Sequence, residues 1–152
     1  MYLKSGFIPA MPKELIEAIV GGFAGDPRRL TMVFSQLSGG AIARVPAGDT
    51  AFAQRDVFAN LLCAVAWKNG DDPSEHIAWC RKYWPALEKH TQGFYSNDLE
   101  PEIAQASVQA NFRRNHDRLV TVKNRYDPAN LFRLNANVKP TVKKDGDAIE
   151  RH

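Results

Sequence analysis

The sequence predicts an α+β fold, an antiparallel sheet with helices packed on one face. Three observations lead there: helical spacing of apolar residues recurs in separated segments, runs rich in β-formers lie between them, and the strands in the middle of the chain are joined by short connections. At 152 residues the chain suits one domain with its own core. That domain is expected over residues 1–140, with 141–152 as a flexible C-terminal tail.

"YLKSGFI" reads as a strand closed by Pro9 and Pro12. In "PKELIEAIVGGFA" the apolar residues fall at 15, 16, 19, 20 and 23, which is helical spacing, and Pro12 suits a first turn because its missing N–H would have no partner there. Gly21, Gly22 and Gly25 with "DPRR" then end the helix in a turn. A phosphate-cradling loop needs a strand before its glycines and a helix after them; here the order is reversed.

"LTMVFSQL" is rich in β-formers, and "SGGAIARV" reads as a further strand entered through a glycine pair. "DVFANLLCAVAW" is apolar on both alternating faces. It fits a central strand buried on two sides or a buried helix, which periodicity does not separate.

After "NGDDP" breaks the chain, Asp72-Pro73-Ser74-Glu75 has the form of a helix cap, with Ile77, Cys80, Trp84 and Leu87 on one face. Pro85 is expected to kink or split that helix. "GFYSND" is a short strand or a turn. "NFRRNHDRLVTVKNRY" is a helix turning Phe112, Leu119, Val120 and the Lys123 stem inward, and it stops before Asp127-Pro128 because the residue preceding a proline resists helical geometry.

The net charge of +3 comes from basic residues interspersed with acids, which argues against a nucleic-acid surface. Lys139, Lys143 and Lys144 are diluted by Asp145, Asp147 and Glu150, as in a solvated tail. The two cysteines, Cys63 and Cys80, lie in different segments with no CxxC and no histidine at ligand spacing, so neither a disulfide framework nor a metal site is expected. Both read as small buried hydrophobes in a reducing compartment. No stretch approaches the ~20 apolar residues that span a bilayer. The start "MYLKSGFIPAMPK" lacks a secretory pattern, so a cytoplasmic location without membrane partners is expected. His76, His90 and His116, placed beside charged residues, are expected to face solvent.

The run "RLVTVKNRYDPANLFRLNANVKP" sets Asn130, Asn135 and Asn137 among Leu, Phe and Val. It resembles the C-terminal signature of the berberine-bridge-enzyme-like family of FAD-linked oxidases: Arg-Leu, a spaced Lys, aromatic-Asp-Pro-x-Asn-x-Phe, then Asn-x-Asn-aliphatic-x-Pro. Upstream, "GGAIARV" resembles the Gly-Gly strand of that family's substrate domain, "AFAQR" followed by Trp67 its Phe-x-His-Arg and Trp element, and "GFYSN" its Gly-x-Tyr-x-Asn segment. The likeness runs from about Ser5 to Pro140.

The resemblance implies a partial substrate domain of an FAD-linked oxidase, acting on an alcohol or amine carbon of a small molecule with hydride transfer to FAD. It places Tyr95 against the substrate, as the base or its helper, and Asn97, Asn135 and Asn137 toward the cofactor. A phenol of pKa ~10 is a poor base near neutrality and needs a nearby cation. Arg44, standing where plant-type members carry a glutamate base, is the candidate helper. Gln54 stands where many relatives have histidine, and Phe112 where many have tyrosine. Asn130 also reads as a turn cap after Asp-Pro.

In the family an FAD domain precedes this region, and no glycine-rich pyrophosphate loop is seen here. FAD is therefore expected only in an assembled complex, with a homo-oligomer or a separate FAD-binding polypeptide as partner, and an unpaired strand edge is expected on this chain. The reading from a different class is a non-catalytic, stand-alone remnant serving as a binding or dimerisation module.

Overall fold

The computed structural model describes residues 1–23, 26–98, 105–134 and 136–142. The elements are β1 (Tyr2–Ile8), α1 (Lys13–Gly22), β2 (Arg29–Leu37), α2 (Ala41–Arg44), β3 (Ala59–Trp67), α3 (Ser74–Glu88), α4 (Gln105–Phe112), a 3-10 turn (Arg113–Asn115) and α5 (His116–Tyr126). The strands form one antiparallel sheet in the order β1-β3-β2. This is the predicted α+β architecture.

"DVFANLLCAVAW" resolves to the central strand, because its alternation is apolar on both sides and each side finds cover. Ala59, Leu61, Cys63 and Val65 are fully buried on the face turned to α1 and α3, where Leu15, Cys80, Trp84 and Leu87 complete the core. Each such large side chain contributes roughly 1.5–3 kcal/mol by leaving water. Cys63 and Cys80 are both buried, as expected, with sulfurs 3.8 Å apart. The Cys80 thiol and burial both push Cys63 upward, which removes thiolate character.

Helices α1 and α3 approach closely at Gly22, where a Cβ would lie 1.8 Å from the Tyr83 ring. Tyr83 Oη donates to the carbonyls of Ala18 (3.2 Å) and Ile19 (2.9 Å), and so satisfies groups that the helix end leaves open. Burial pushes this phenol up to about 12.

Several expectations are corrected. "SGGAIARV" is not a strand: Gly40 turns the chain at φ 55, and Ala41–Arg44 form a short helix. The ladder to β3 runs out at Leu37, so no unpaired neighbour remains there, and Ala-Ile-Ala-Arg favours a helix. Pro85 lies inside an α3 that runs unbroken to Glu88. The proline forfeits one backbone bond, but the buried residues Tyr83, Trp84 and Leu87 on either side of it hold the helix against the sheet. His76 does not face solvent; it is 3% exposed and stacks on Trp67, with ring centroids 5.5 Å apart.

"GFYSND" is a turn; Gln92, just before it, bridges to Phe7 of β1, and Asp98 at its end accepts a hydrogen bond from Asn60 of β3. The helical run that starts in α4 is broken by the 3-10 turn, and α5 ends before Asp127-Pro128 as expected. The face of the sheet away from α1 and α3 is partly open, leaving Leu30 60% and Phe34 43% exposed. Within the predicted tail, residues 143–152 lie outside the described residues.

Candidate active site

Where β2 ends and β3 begins, a cleft of about 670 Å³ opens among Phe7, Gln36, Phe52, Arg55, Asn60 and Tyr95. Its size and its mix of aromatic walls with a few polar groups suit a small molecule. β3 supplies Asn60, which is 3% exposed and donates through Nδ2 to Asp98 Oδ2 (3.0 Å) and Gln36 Oε1 (3.3 Å). Its amide oxygen is buried with no hydrogen-bond partner among the described residues.

Tyr95 is half-buried on the cleft wall, edge-on to Phe7 with ring centroids 6.4 Å apart. Its Oη accepts a hydrogen bond from Asn97 Nδ2 at 2.8 Å. The two residues thus meet, as the Gly-x-Tyr-x-Asn spacing allows. Arg44 sits exposed in the last turn of α2 and does not line the cleft.

The arginine that does line it is Arg55, overlooked inside "AFAQR". Its guanidinium donates to the carbonyls of Phe52 (3.2 Å) and Ile42 (3.2 Å) and to Thr50 Oγ1 (2.7 Å), and lies 4.8 Å from the Phe52 ring centre. Arg55 therefore knits the loop before β3 into a wall. The likeness of "AFAQR" to Phe-x-His-Arg includes this arginine, but only the contacts reveal what it holds.

Behind Tyr95 lie buried amides. Asn111 Oδ1 accepts the Phe94 N–H at 2.9 Å, and Gln54 Nε2 donates to the Asn111 carbonyl at 3.1 Å. Gln54, where a histidine was the family expectation, is 2% exposed.

In the C-terminal run the decisive group is an aspartate that sequence reasoning passed over. Asp127 Oδ1 accepts the Leu131 N–H at 2.7 Å, and Oδ2 accepts the Phe132 N–H at 3.1 Å and the Lys123 ammonium. Lys123 Nζ also donates to the Phe132 carbonyl at 2.6 Å. The Lys123 hydrogen bond, reinforced by the two amides, holds the Asp127 carboxyl below its ordinary range. Asn130 takes the left-handed turn conformation at φ 52, the role its place after Asp-Pro allows. Asn137 is half-buried and does not line the cleft, and Asn135 lies outside the described residues. Leu131, Phe132 and Leu134 are left 75%, 82% and 84% exposed.

Residues 89–139 match the family described as "Berberine and berberine like". The chain is 31% identical over 114 residues to an uncharacterized FAD-linked oxidoreductase, YgaK, of Bacillus subtilis, covering 75% of this chain and 25% of that protein.

The chain belongs with the berberine-bridge-like region of FAD-linked oxidases.

The berberine-bridge-like chain is also 28% identical to a xylooligosaccharide oxidase of Thermothelomyces thermophilus, over 91% of this chain and 31% of that one. The solved xylooligosaccharide oxidase from Myceliophthora thermophila, in complex with xylobiose, superposes with a TM-score of 0.76 at 27% identity, covering 93% of this chain and 33% of that structure. The chain thus spans between a quarter and a third of the length of these relatives.

Among the described residues no cluster of His, Cys, Asp or Glu could hold a metal ion, and no helix is long and apolar enough to cross a membrane.

Proposed function

We propose that this berberine-bridge-like chain is the substrate-side and flavin-capping part of an FAD-dependent oxidoreductase that oxidises an alcohol or amine carbon of a small molecule. The observation that carries the reading is Tyr95, half-buried on the wall of the cleft with its Oη fixed by Asn97. FAD, when bound, would accept the hydride from the substrate carbon. As the phenolate, Tyr95 Oη would take the substrate's O–H or N–H proton, and the Phe7 and Phe52 rings would limit water around it. Arg55 shares the cleft and is better placed than Arg44 to supply positive charge there.

In this reading the chain would meet the ring end of FAD rather than its pyrophosphate. Asn97 and Asn137 would meet the flavin edge, whereas α1 and α3 begin after Pro12 and Pro73 and α5 after Asn115, without a glycine-rich cradle. The pyrophosphate would be held by residues outside those described, in the same polypeptide, a second copy or a separate FAD-binding chain. The exposed Leu131, Phe132 and Leu134 and the open sheet face support such a neighbour.

The test is to assemble the chain with an FAD-bearing partner, such as the product of an adjoining reading frame. A yellow complex is expected, whose turnover falls at least ~100-fold on Tyr95→Phe without change in flavin absorption. A yellow complex indifferent to Tyr95→Phe would overturn the role of Tyr95. A colourless protein that ignores both FAD and partners would favour a non-catalytic binding or dimerisation module.

A further inference from the structure

We propose that a three-residue lock, the buried Gln54 and Asn111 with the half-buried Arg113, is the device that positions Tyr95 in the cleft; its functional meaning rests on the oxidase reading above. Gln54 and Asn111 are 2% and 6% exposed, and both side chains are engaged. Asn111 Oδ1 receives the N–H of Phe94, the residue immediately before Tyr95, and lies 3.4 Å from Gln54 Nε2. That nitrogen also donates to the Asn111 carbonyl at 3.1 Å, while Arg113 Nη2 donates to Gln54 Oε1 at 2.6 Å. Arg113 Nη1 anchors the assembly to Asp56 at 2.7 Å.

Two backbone features show that the chain is bent to make this lock. Arg113 adopts φ 48, a left-handed conformation that a residue with a side chain keeps only when its surroundings over-determine it. Gly93 adopts φ 64, and a Cβ there would lie 2.5 Å from Gln54 Nε2 and 2.7 Å from Asn111 Oδ1. Glycine is thus required twice over at Gly93, for its backbone angle and for the room the amides occupy. Gly93 and Phe94 lead straight into Tyr95, so the lock fixes the direction in which the phenol leaves the backbone. Gln54, Asn111 and Arg113 are positioning residues, not catalytic ones.

The lock is testable on the chain alone, without flavin, so its failure is separate from failure of the oxidase reading. Asn111→Leu removes the acceptor of both side-chain contacts, whereas Asn111→Asp keeps an oxygen at the same place. Tyrosine ring signals are followed by NMR on 13C-tyrosine protein, with Tyr95→Phe assigning the Tyr95 signal among the four tyrosines. Asn111→Leu is expected to speed hydrogen exchange at the Phe94 amide at least ~10-fold and to shift the Tyr95 ring signals, while the Val65 amide in β3 keeps its protection. Asn111→Asp should return both toward the parent values.

If Asn111→Leu does not fold, Gln54→Glu is used instead, since it removes the donor to Asn111 and keeps the acceptor for Arg113. It should shift the same Tyr95 signals. Unmoved Tyr95 signals in a folded Asn111→Leu or Gln54→Glu protein would overturn the proposal. So would an Asn111→Asp protein that behaves like Asn111→Leu.

Discussion

Around β3, Leu61 and Val65 meet Leu15 and Leu87 across an apolar contact. Around the cleft, Gln54, Asn111 and Asn115 are nearly as buried, yet each is held by hydrogen bonds to particular atoms. Apolar burial is non-directional and rewards filled volume. A hydrogen-bonded amide rewards one position and penalises others, because a buried polar atom without its partner is costly. The half of the molecule that supports is built the first way, and the half that must aim a phenol is built the second way.

Substitutions that remove equal chemistry from the two kinds of surface should break this comparison most visibly. Leu61→Ala is expected to cost about 2–5 kcal/mol in urea unfolding, while Leu131→Ala, on a side chain that is 75% exposed, should stay within about 0.5 kcal/mol. Equal effects would mean that the apolar residues after α5 belong to the core.

A smaller effect sharpens the polar side. Asn115 Nδ2 donates to the carbonyls of Ala47 (2.6 Å) and Thr50 (3.0 Å), so Asn115→Ala should cost about 1–3 kcal/mol by leaving them without that donor. A neutral outcome in the same unfolding assay would show that water replaces the amide and that the cleft side is not built on directional bonds.

The smallest effect is a local one with pH. The carboxyl of Asp127 is depressed by Lys123 and two backbone amides, so its contribution is present above the ordinary aspartate value of about 3.9 and is lost as pH falls through the lower folded value. Exchange at the Leu131 and Phe132 amides should accelerate below about pH 4, relative to Val65, and Asp127→Asn should reduce that dependence. Parallel behaviour of all three amides would show instead that acid acts on the whole fold.

Much of the scaffold was legible in the residues. "YLKSGFI", "LTMVFSQL" and the spacing of Leu15 and Ile19 announce their elements, because period 2 and period 3.6 are properties of short stretches. "SGGAIARV" misled because its β-formers and glycines do not say whether a neighbouring strand is available to pair with it. His76 misled because the ring that covers it, Trp67, lies on another element. Tyr95 and Asn97 could be named from the resemblance of "GFYSN" to the family's Gly-x-Tyr-x-Asn, and their hydrogen bond is local. The roles of Arg55, Asn111 and Asp127 could not be read, since each acts through partners chosen by the fold.

The sequence by itself determined the fold class, the strands β1 and β2 and the helix α1, since these follow from local patterns of polarity and backbone freedom. Only the tertiary structure decided which arginine lines the cleft, which amides stand behind the phenol, and that an aspartate ties down the chain after α5. Directional bonds between distant residues leave no periodic trace, so they become visible only when the folded chain brings donor and acceptor together.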